Sequence, residues 1–127
     1  ISELIIEGFE ATLIIEADKN QSRIFVYMYG PEVIPESRVD EICLFLNKIN
    51  LKMGIGRFVC FYGSEMNSVQ YMAAIDCEGG FIVGSQIDVM VNDACENLQW
   101  CGASINLLAN TNLSNNEVML MLLDGKI

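Results

Sequence analysis

The residues of this 127-residue chain that could do covalent chemistry are mainly its five cysteines. The sequence contains no histidine, which removes Ser-His-Asp and Cys-His catalysis and every imidazole metal site. A nucleophilic cysteine needs a nearby cation to lower its pKa. Arg57 precedes Cys60 by three positions and therefore lies on the opposite face of a strand. We predict buried structural thiols at all five positions, which are Cys43, Cys60, Cys77, Cys95 and Cys101.

Paired carboxylates are the next candidates for chemistry. Asp40 and Glu41 fall on the polar side of a predicted helix, and Asp76 and Glu78 fall at a turn. Acid–base catalysis needs a pocket that pushes the two pKa values apart, whereas these positions favour solvated charges, so we interpret neither pair as catalytic. The oxygen-rich loop at residues 18–22 lacks the central glycine and the bidentate glutamate of a calcium loop.

Two glycine-rich segments also fail as phosphate-binding loops. Gly54-Ile55-Gly56 follows a helix where a nucleotide fingerprint opens one, and residues 79–84 lack the lysine of a P-loop. We therefore predict no catalytic residue, no metal and no cofactor, and we expect the chain not to be an enzyme.

The composition favours a globular domain that binds protein. The chain is 52% hydrophobic and 19% charged, and 17 acidic against 7 basic residues give a formal charge of −10. Nucleic acids and anionic membranes are bound through lysine and arginine, so we expect neither as a partner. The charge either keeps the protein soluble or attracts a basic or partly unfolded partner.

The cysteine pattern and the apolar runs bear on location. Five widely spaced cysteines without a CxxC pair are typical of a reducing compartment, so we expect a cytoplasmic protein. The longest apolar run, Val118 to Leu123, is much shorter than a membrane span. Residues 1–6 lack the features of a signal peptide, and because the chain starts at Ile1 we expect a further segment before it.

The secondary structure that must position these side chains is α+β. β-Branched and aromatic runs predict strands at Ala11–Glu16, Ile24–Tyr29, Arg57–Tyr62, Val69–Asp76 and a short one at Phe81–Val83. Leu4–Ile6 either starts the sheet or belongs to an earlier element. Apolar stripes predict helices near residues 35–53, 85–108 and 114–124, with N-caps at Ser85 and Ser114. We predict one domain over residues 1–127, an antiparallel β-sheet flanked by helices.

Excess apolar surface is the most informative feature. The strands at 24–29 and 57–62 are apolar on both faces, although a sheet with helices on one face should alternate apolar with polar residues. The last helix is apolar all round, so it either completes the core or forms an interface. The candidate protein-binding residues are Phe25, Tyr27, Tyr29, Phe58, Tyr62, Met119, Leu120, Met121 and Leu123.

From Glu10 to about Leu123 the chain resembles the YbjN family, small bacterial proteins proposed to regulate sensory transduction. The resemblance is carried by Val39–Asn50, which ends in the pattern LN..N, and by Gly56–Val59, Val69–Ile75 and Ser85–Leu108. It implies a type III secretion chaperone-like fold, self-association, and no established activity or cofactor. We interpret Asn47 and Asn50 of the pattern as amides that tie the helix to the sheet.

These observations leave three functions open. The first is a non-enzymatic binding module with a regulatory or chaperone-like adaptor role, forming a homodimer or higher homo-oligomer, with a type III secretion-type chaperone for an effector segment as its closest variant. The second is a carrier or sensor of a small apolar ligand, with a pocket lined by methionines at positions 28, 72, 90, 119 and 121. The third is a cysteine-dependent enzyme.

Overall fold

The computed structural model describes residues 2–6, 9–18, 22–29, 33–62, 66–77 and 84–127, with the backbone alone for 2–6, 9, 10, 18 and 62. Within these residues, five antiparallel strands form one sheet in the order β1-β2-β3-β5-β4. The strands are β1 (Ser2–Ile6), β2 (Phe9–Asp18), β3 (Arg23–Tyr29), β4 (Arg57–Tyr62) and β5 (Asn67–Asp76). The helices are α1 (Val39–Asn50), α2 (Gly84–Asn110) and α3 (Asn115–Leu123). The predicted α+β class, an antiparallel sheet flanked by helices, is confirmed.

The strands agree closely with the sequence prediction. β3 and β4 have the predicted extents to within one residue, and β2 and β5 each start two residues earlier than predicted. Leu4–Ile6 lies within β1, so it starts the sheet. The predicted strand at Phe81–Val83 and the predicted turn at Glu78 lie outside the described residues.

The helix ends differ more than the strands do. Pro35 has extended backbone and precedes a 3-10 turn at Glu36–Arg38, so α1 begins only at Val39. Ser85 lies inside α2, which starts at Gly84, so the predicted N-cap is wrong there. Ser114 does cap α3, because its hydroxyl accepts a hydrogen bond from the Glu117 backbone N–H at 3.2 Å.

The core lies between one face of the sheet and the helices. The predicted stripes of α1 and α2 supply most of its helical side, including Ile42, Leu46, Leu98 and Leu108. The sheet contributes alternate residues of the four strands β2 to β5, which are Ala11, Leu13, Val26, Met28, Phe58, Val69, Tyr71 and Ala73. We call this the inner face of the sheet. A sheet buried on one side only exposes its alternate residues on the other.

Hydrogen bonds to the carboxylate of Asp93 fix the turn between α1 and β4. Asp93 of α2 accepts a hydrogen bond from the Tyr71 hydroxyl at 2.5 Å and from the Gly56 N–H at 3.4 Å. Asn97 donates to the other carboxylate oxygen of Asp93 at 3.1 Å. These bonds join the middle of the sheet, the turn and α2, so the inner face is fixed against its helices.

Candidate protein-binding surface

The side of the sheet opposite the helices carries apolar residues on each of the strands β2 to β5. Directly paired residues of neighbouring strands point to the same face, so the register assigns its members. Tyr27 pairs with Ile14 on one side and Met72 on the other, and Tyr29 pairs with Thr12 and Gln70. On the edge strand, Val59 pairs with Gln70 and extends the second row. The apolar members, which we call the outer face, are Ile14, Phe25, Tyr27, Tyr29, Val59, Phe61 and Met72.

Solvent exposure separates the outer face from the inner face. Val26 and Met28, on the inner side of β3, are fully buried, whereas Phe25, Tyr27 and Tyr29 between and beside them stay partly exposed. Phe61 is 42% exposed. Within the described part of the chain, no outer-face residue belongs to the core that the helices cover. The helices therefore cover only one of the two apolar faces that the sequence revealed.

Two stacked aromatic rings lie in the middle of the outer face. The rings of Phe25 and Tyr27, two residues apart on β3, stack with centroids 5.9 Å apart and an angle of 14° between their planes. Stacked rings bury part of each other's surface and leave their remaining edges to solvent. The result is a preformed apolar surface on a rigid sheet, as binding sites for protein segments require.

Charged residues surround one end of the outer face. Arg23 of β3 pairs with Asp76 of β5, and in the next row Glu16 of β2 pairs with Phe25. The two carboxylates of Glu16 and Asp76 against the guanidinium of Arg23 leave this end with one net negative charge. Arg57 is exposed on the edge strand β4, where it pairs with Met72 and adds a positive charge beside the Tyr27 row.

Phe58 is a correction to the sequence prediction. It is 2% exposed and lies on the inner face, where its ring meets that of Tyr71 edge-on with centroids 5.9 Å apart. Phe61 and Val59, which alternate with Phe58 along β4, face outward instead. The side chain of Tyr62, another candidate, lies outside the described residues.

Sequence reasoning missed four members of the outer face, which are Ile14, Val59, Phe61 and Met72. Period-two alternation identified which side chains share a face within one strand. It did not identify which face the helices cover, because both are apolar. The pairing of Met72 with Tyr27 depends on register between strands that lie 45 positions apart, and the sequence carries no local signal for it.

Helix α3, the second predicted surface, also has one side in the core and one side exposed to solvent. Met119, a candidate residue, is 8% exposed and belongs to the core with Val118 and Leu122, so it is also a correction. Leu120 and Leu123 are 62% and 56% exposed and lie three residues apart on one helix face. Met121 is partly exposed. We call Leu120, Met121 and Leu123 the α3 surface.

Polar side chains of α1 and of the 3-10 turn before it bind the end of α2 and the start of α3. The Glu41 carboxylate accepts from the backbone N–H of Asn115 at 2.5 Å and from its side-chain amide at 2.8 Å. These hydrogen bonds lower the pKa of Glu41. Lys48 donates to the Asn115 side-chain oxygen at 2.5 Å, and Arg38 donates to the Leu108 carbonyl oxygen at 2.7 Å. Glu41 is thus a structural anion at a helix N-terminus, where it also complements the helix dipole.

The cysteines have the environment of structural thiols. No disulfide joins any pair of the five, and Cys101 is buried while the other four are partly buried. Burial raises the pKa of Cys60 to about 11, and the neighbouring Cys43 thiol adds to this. Burial also raises the pKa of Cys101 to about 12 and raises that of Cys95. A raised pKa suppresses the reactive thiolate.

The methionines do not form the apolar pocket that one hypothesis required. Met28, Met90 and Met119 are packed in the core at 8% exposure or less. Met72 lies on the opposite side of the sheet from Met28. Among the described residues, no cluster of three cysteine, aspartate or glutamate side chains could hold a metal ion, and no helix is long and apolar enough to cross a membrane.

Comparison with solved structures shows where this fold occurs. The chain is similar to YbjN of E. coli, a proposed transcription regulator, with a TM-score of 0.61 and 10% sequence identity over 80% of this chain and 75% of YbjN. It is also similar to ExsC, a type III secretion chaperone, in the ExsC–ExsE complex, with a TM-score of 0.53 and 15% identity over 87% of this chain and 77% of that one. No family model matches the chain and no curated protein is significantly similar to it. The resemblance to YbjN and the chaperone-like fold are confirmed at the level of the fold.

Proposed function

We propose that this protein is a non-enzymatic adaptor, regulatory or chaperone-like, that binds another protein through the outer face of its sheet. The observation that carries the proposal is an apolar, aromatic sheet face that the helices leave open, with Tyr27 and Met72 at its centre. Exposed apolar patches rimmed by polar residues are often interaction sites.

The absence of suitable chemistry supports the non-enzymatic part of this proposal. The chain has no histidine, and the thiols of Cys60 and Cys101 have raised pKa values. The hydroxyl of Tyr71 and the partly buried carboxylate of Asp93 are bonded to each other and join the sheet to α2. Five free thiols are compatible with a reducing compartment, and a cytoplasmic location is part of this proposal.

The solved neighbours support a protein partner. ExsC, which has a similar fold, is in a complex with ExsE, so at least one protein with this fold binds another protein. A chaperone for an effector segment is therefore the closest variant of the proposal. The homodimer expected from the sequence stays a prediction, which light scattering of the purified protein tests.

A pair of matched variants tests the proposal. The double variant Phe61→Thr, Met72→Thr removes apolar area from the outer face, and threonine is a residue that strands tolerate well. The double variant Leu120→Gln, Leu123→Gln removes apolar area from the α3 surface, and glutamine is a residue that helices tolerate well. The wild-type protein, immobilised, should retain a partner from native extract, the outer-face variant should lose it, and the α3 variant should keep it. Retention by the outer-face variant would contradict the proposal, provided that circular dichroism shows all three proteins folded.

A further inference from the structure

We infer that the segment received by the outer face is a basic amphipathic α-helix lying across strands β2, β3, β5 and β4. This inference rests on the proposed function, because it takes the outer face as the binding surface. It adds the conformation and the charge of the partner segment, both of which follow from the geometry of the sheet.

The backbone of the sheet offers no hydrogen-bond partners to an extended segment on this face. β2, β3 and β5 each have a hydrogen-bonded strand on both sides, so their backbone donors and acceptors are already used. On the edge strand, the N–H and the carbonyl oxygen of Phe58 are bonded to the side chain of Asn50. A helix satisfies its own backbone hydrogen bonds, so the outer face favours a helix over an extended segment.

The size of the outer face matches one helix. Four strands spaced by ~4.8 Å give a surface ~19 Å wide, which ~13 helical residues cross at 1.5 Å each. Rows along the strands repeat every ~6.8 Å, so a helix ~10 Å in diameter covers the Tyr27 row and the Tyr29 row together. A second copy of the chain needs ~800 Å² per partner for a stable dimer, whereas ~19 Å by ~20 Å gives only about half of that.

Charge selects a basic helix over an acidic one. The chain carries a formal charge of −10, and at one end of the outer face the carboxylates of Glu16 and Asp76 outnumber the guanidinium of Arg23. A second copy would bring the same charges to the same face and be repelled. Lysines or arginines flanking the apolar stripe of a helix would instead meet this acidic end. Such a stripe has apolar residues at positions i, i+3, i+4 and i+7.

Three fluorescent peptides of ~14 residues test the inference, each at ~0.15 M salt so that weak surface attraction is screened. The first consists of leucine and lysine, with the leucines spaced so that they form one face of an α-helix. The second replaces every lysine by glutamate, and the third has the composition of the first with leucine and lysine alternating as in a strand. Fluorescence anisotropy should show the first bound at least about tenfold more tightly than the other two, because only it matches both the helical stripe and the charge.

The matched variants decide where the peptide binds. Phe61→Thr with Met72→Thr should weaken binding of the helical lysine peptide at least about tenfold, and Leu120→Gln with Leu123→Gln should leave it unchanged. Equal binding of the alternating peptide, or loss of binding only in the α3 variant, would overturn the inference. If the outer-face variant loses its natural partner while the helical lysine peptide does not bind the wild type, the proposed function stands and this inference fails.

Discussion

The side-chain amide of Asn50 makes two hydrogen bonds with the backbone of Phe58. It donates to the Phe58 carbonyl oxygen at 3.0 Å and accepts from the Phe58 N–H at 2.8 Å. Because β4 is an edge strand, the amide takes the place that a neighbouring strand would occupy. It also joins the last residue of α1 to the strand that carries Val59 and Phe61, so it positions one side of the outer face.

We predict that Asn50→Ala lowers the free energy of unfolding by about 1 to 3 kcal/mol, because a partly buried donor and acceptor lose their partners. Asn47→Ala is the matched control, since Asn47 is exposed on the same helix and its replacement should change stability by less than about 0.5 kcal/mol. Urea titration monitored by circular dichroism measures both. Equal effects would show that the amide of Asn50 does not hold β4.

Gly56→Ala should be destabilising because of a close approach to Tyr71. A Cβ atom at Gly56 would lie 2.3 Å from the Tyr71 ring, and that ring is buried and bonded to Asp93. We expect a loss of about 1 to 3 kcal/mol in the free energy of unfolding. Gly54→Ala is the control, because a Cβ there meets no atom within 4 Å. A Gly56→Ala protein as stable as Gly54→Ala would refute this account of the turn.

The lowered pKa of Glu41 predicts how stability depends on pH. A carboxyl whose pKa falls on folding stabilises the protein above its unfolded pKa of about 4.5, and this stabilisation is lost as the pH falls through the folded value. Glu41→Gln should therefore be less stable than wild type at pH 7, and the difference should shrink below about pH 4.5. Urea midpoints of both proteins between neutral and acid pH measure it. A difference that is constant or grows toward acid pH would contradict the role of Glu41 at α3.

The thiols of Cys60 and Cys101 should react slowly in the folded protein. With pKa values near 11 and 12, both should be labelled by iodoacetamide at pH 8 about 10- to 100-fold more slowly than in denaturant. Mass spectrometry of digested samples resolves the two sites. Fast labelling of Cys60 in the native state would instead favour a cysteine-dependent enzyme.

Local signals in the sequence predicted most of the elements. The stripes of α1 and α2 and the N-cap at Ser114 are set by residues within a few positions of one another, and the structure confirms them. The role of Asn50 was also predicted, because it depends on a helix end and a strand only eight residues apart. The same role predicted for Asn47 is wrong, because Asn47 is exposed on α1.

The candidate site was predicted only in part, because its membership depends on tertiary structure. Phe58 and Phe61 are equally apolar, and only the position of the helices makes one core and the other surface. Met119 and Leu120 differ in the same way on α3. Aromatic residues of β3 were identified correctly as partly exposed, but their partners on β2 and β5 required the strand register.

Oxidative footprinting of methionines is the most direct test of the outer face, because it uses the wild-type protein. Met72 lies on the outer face, Met121 on the α3 surface, and Met66 is 54% exposed just before β5, so the three report on different surfaces. The fraction of each oxidised by dilute peroxide is measured by mass spectrometry with and without the captured partner. We predict that the partner protects Met72 and leaves Met121 and Met66 unchanged. Protection of Met121 with Met72 still oxidised at its free rate would contradict the assignment of the outer face as the binding surface.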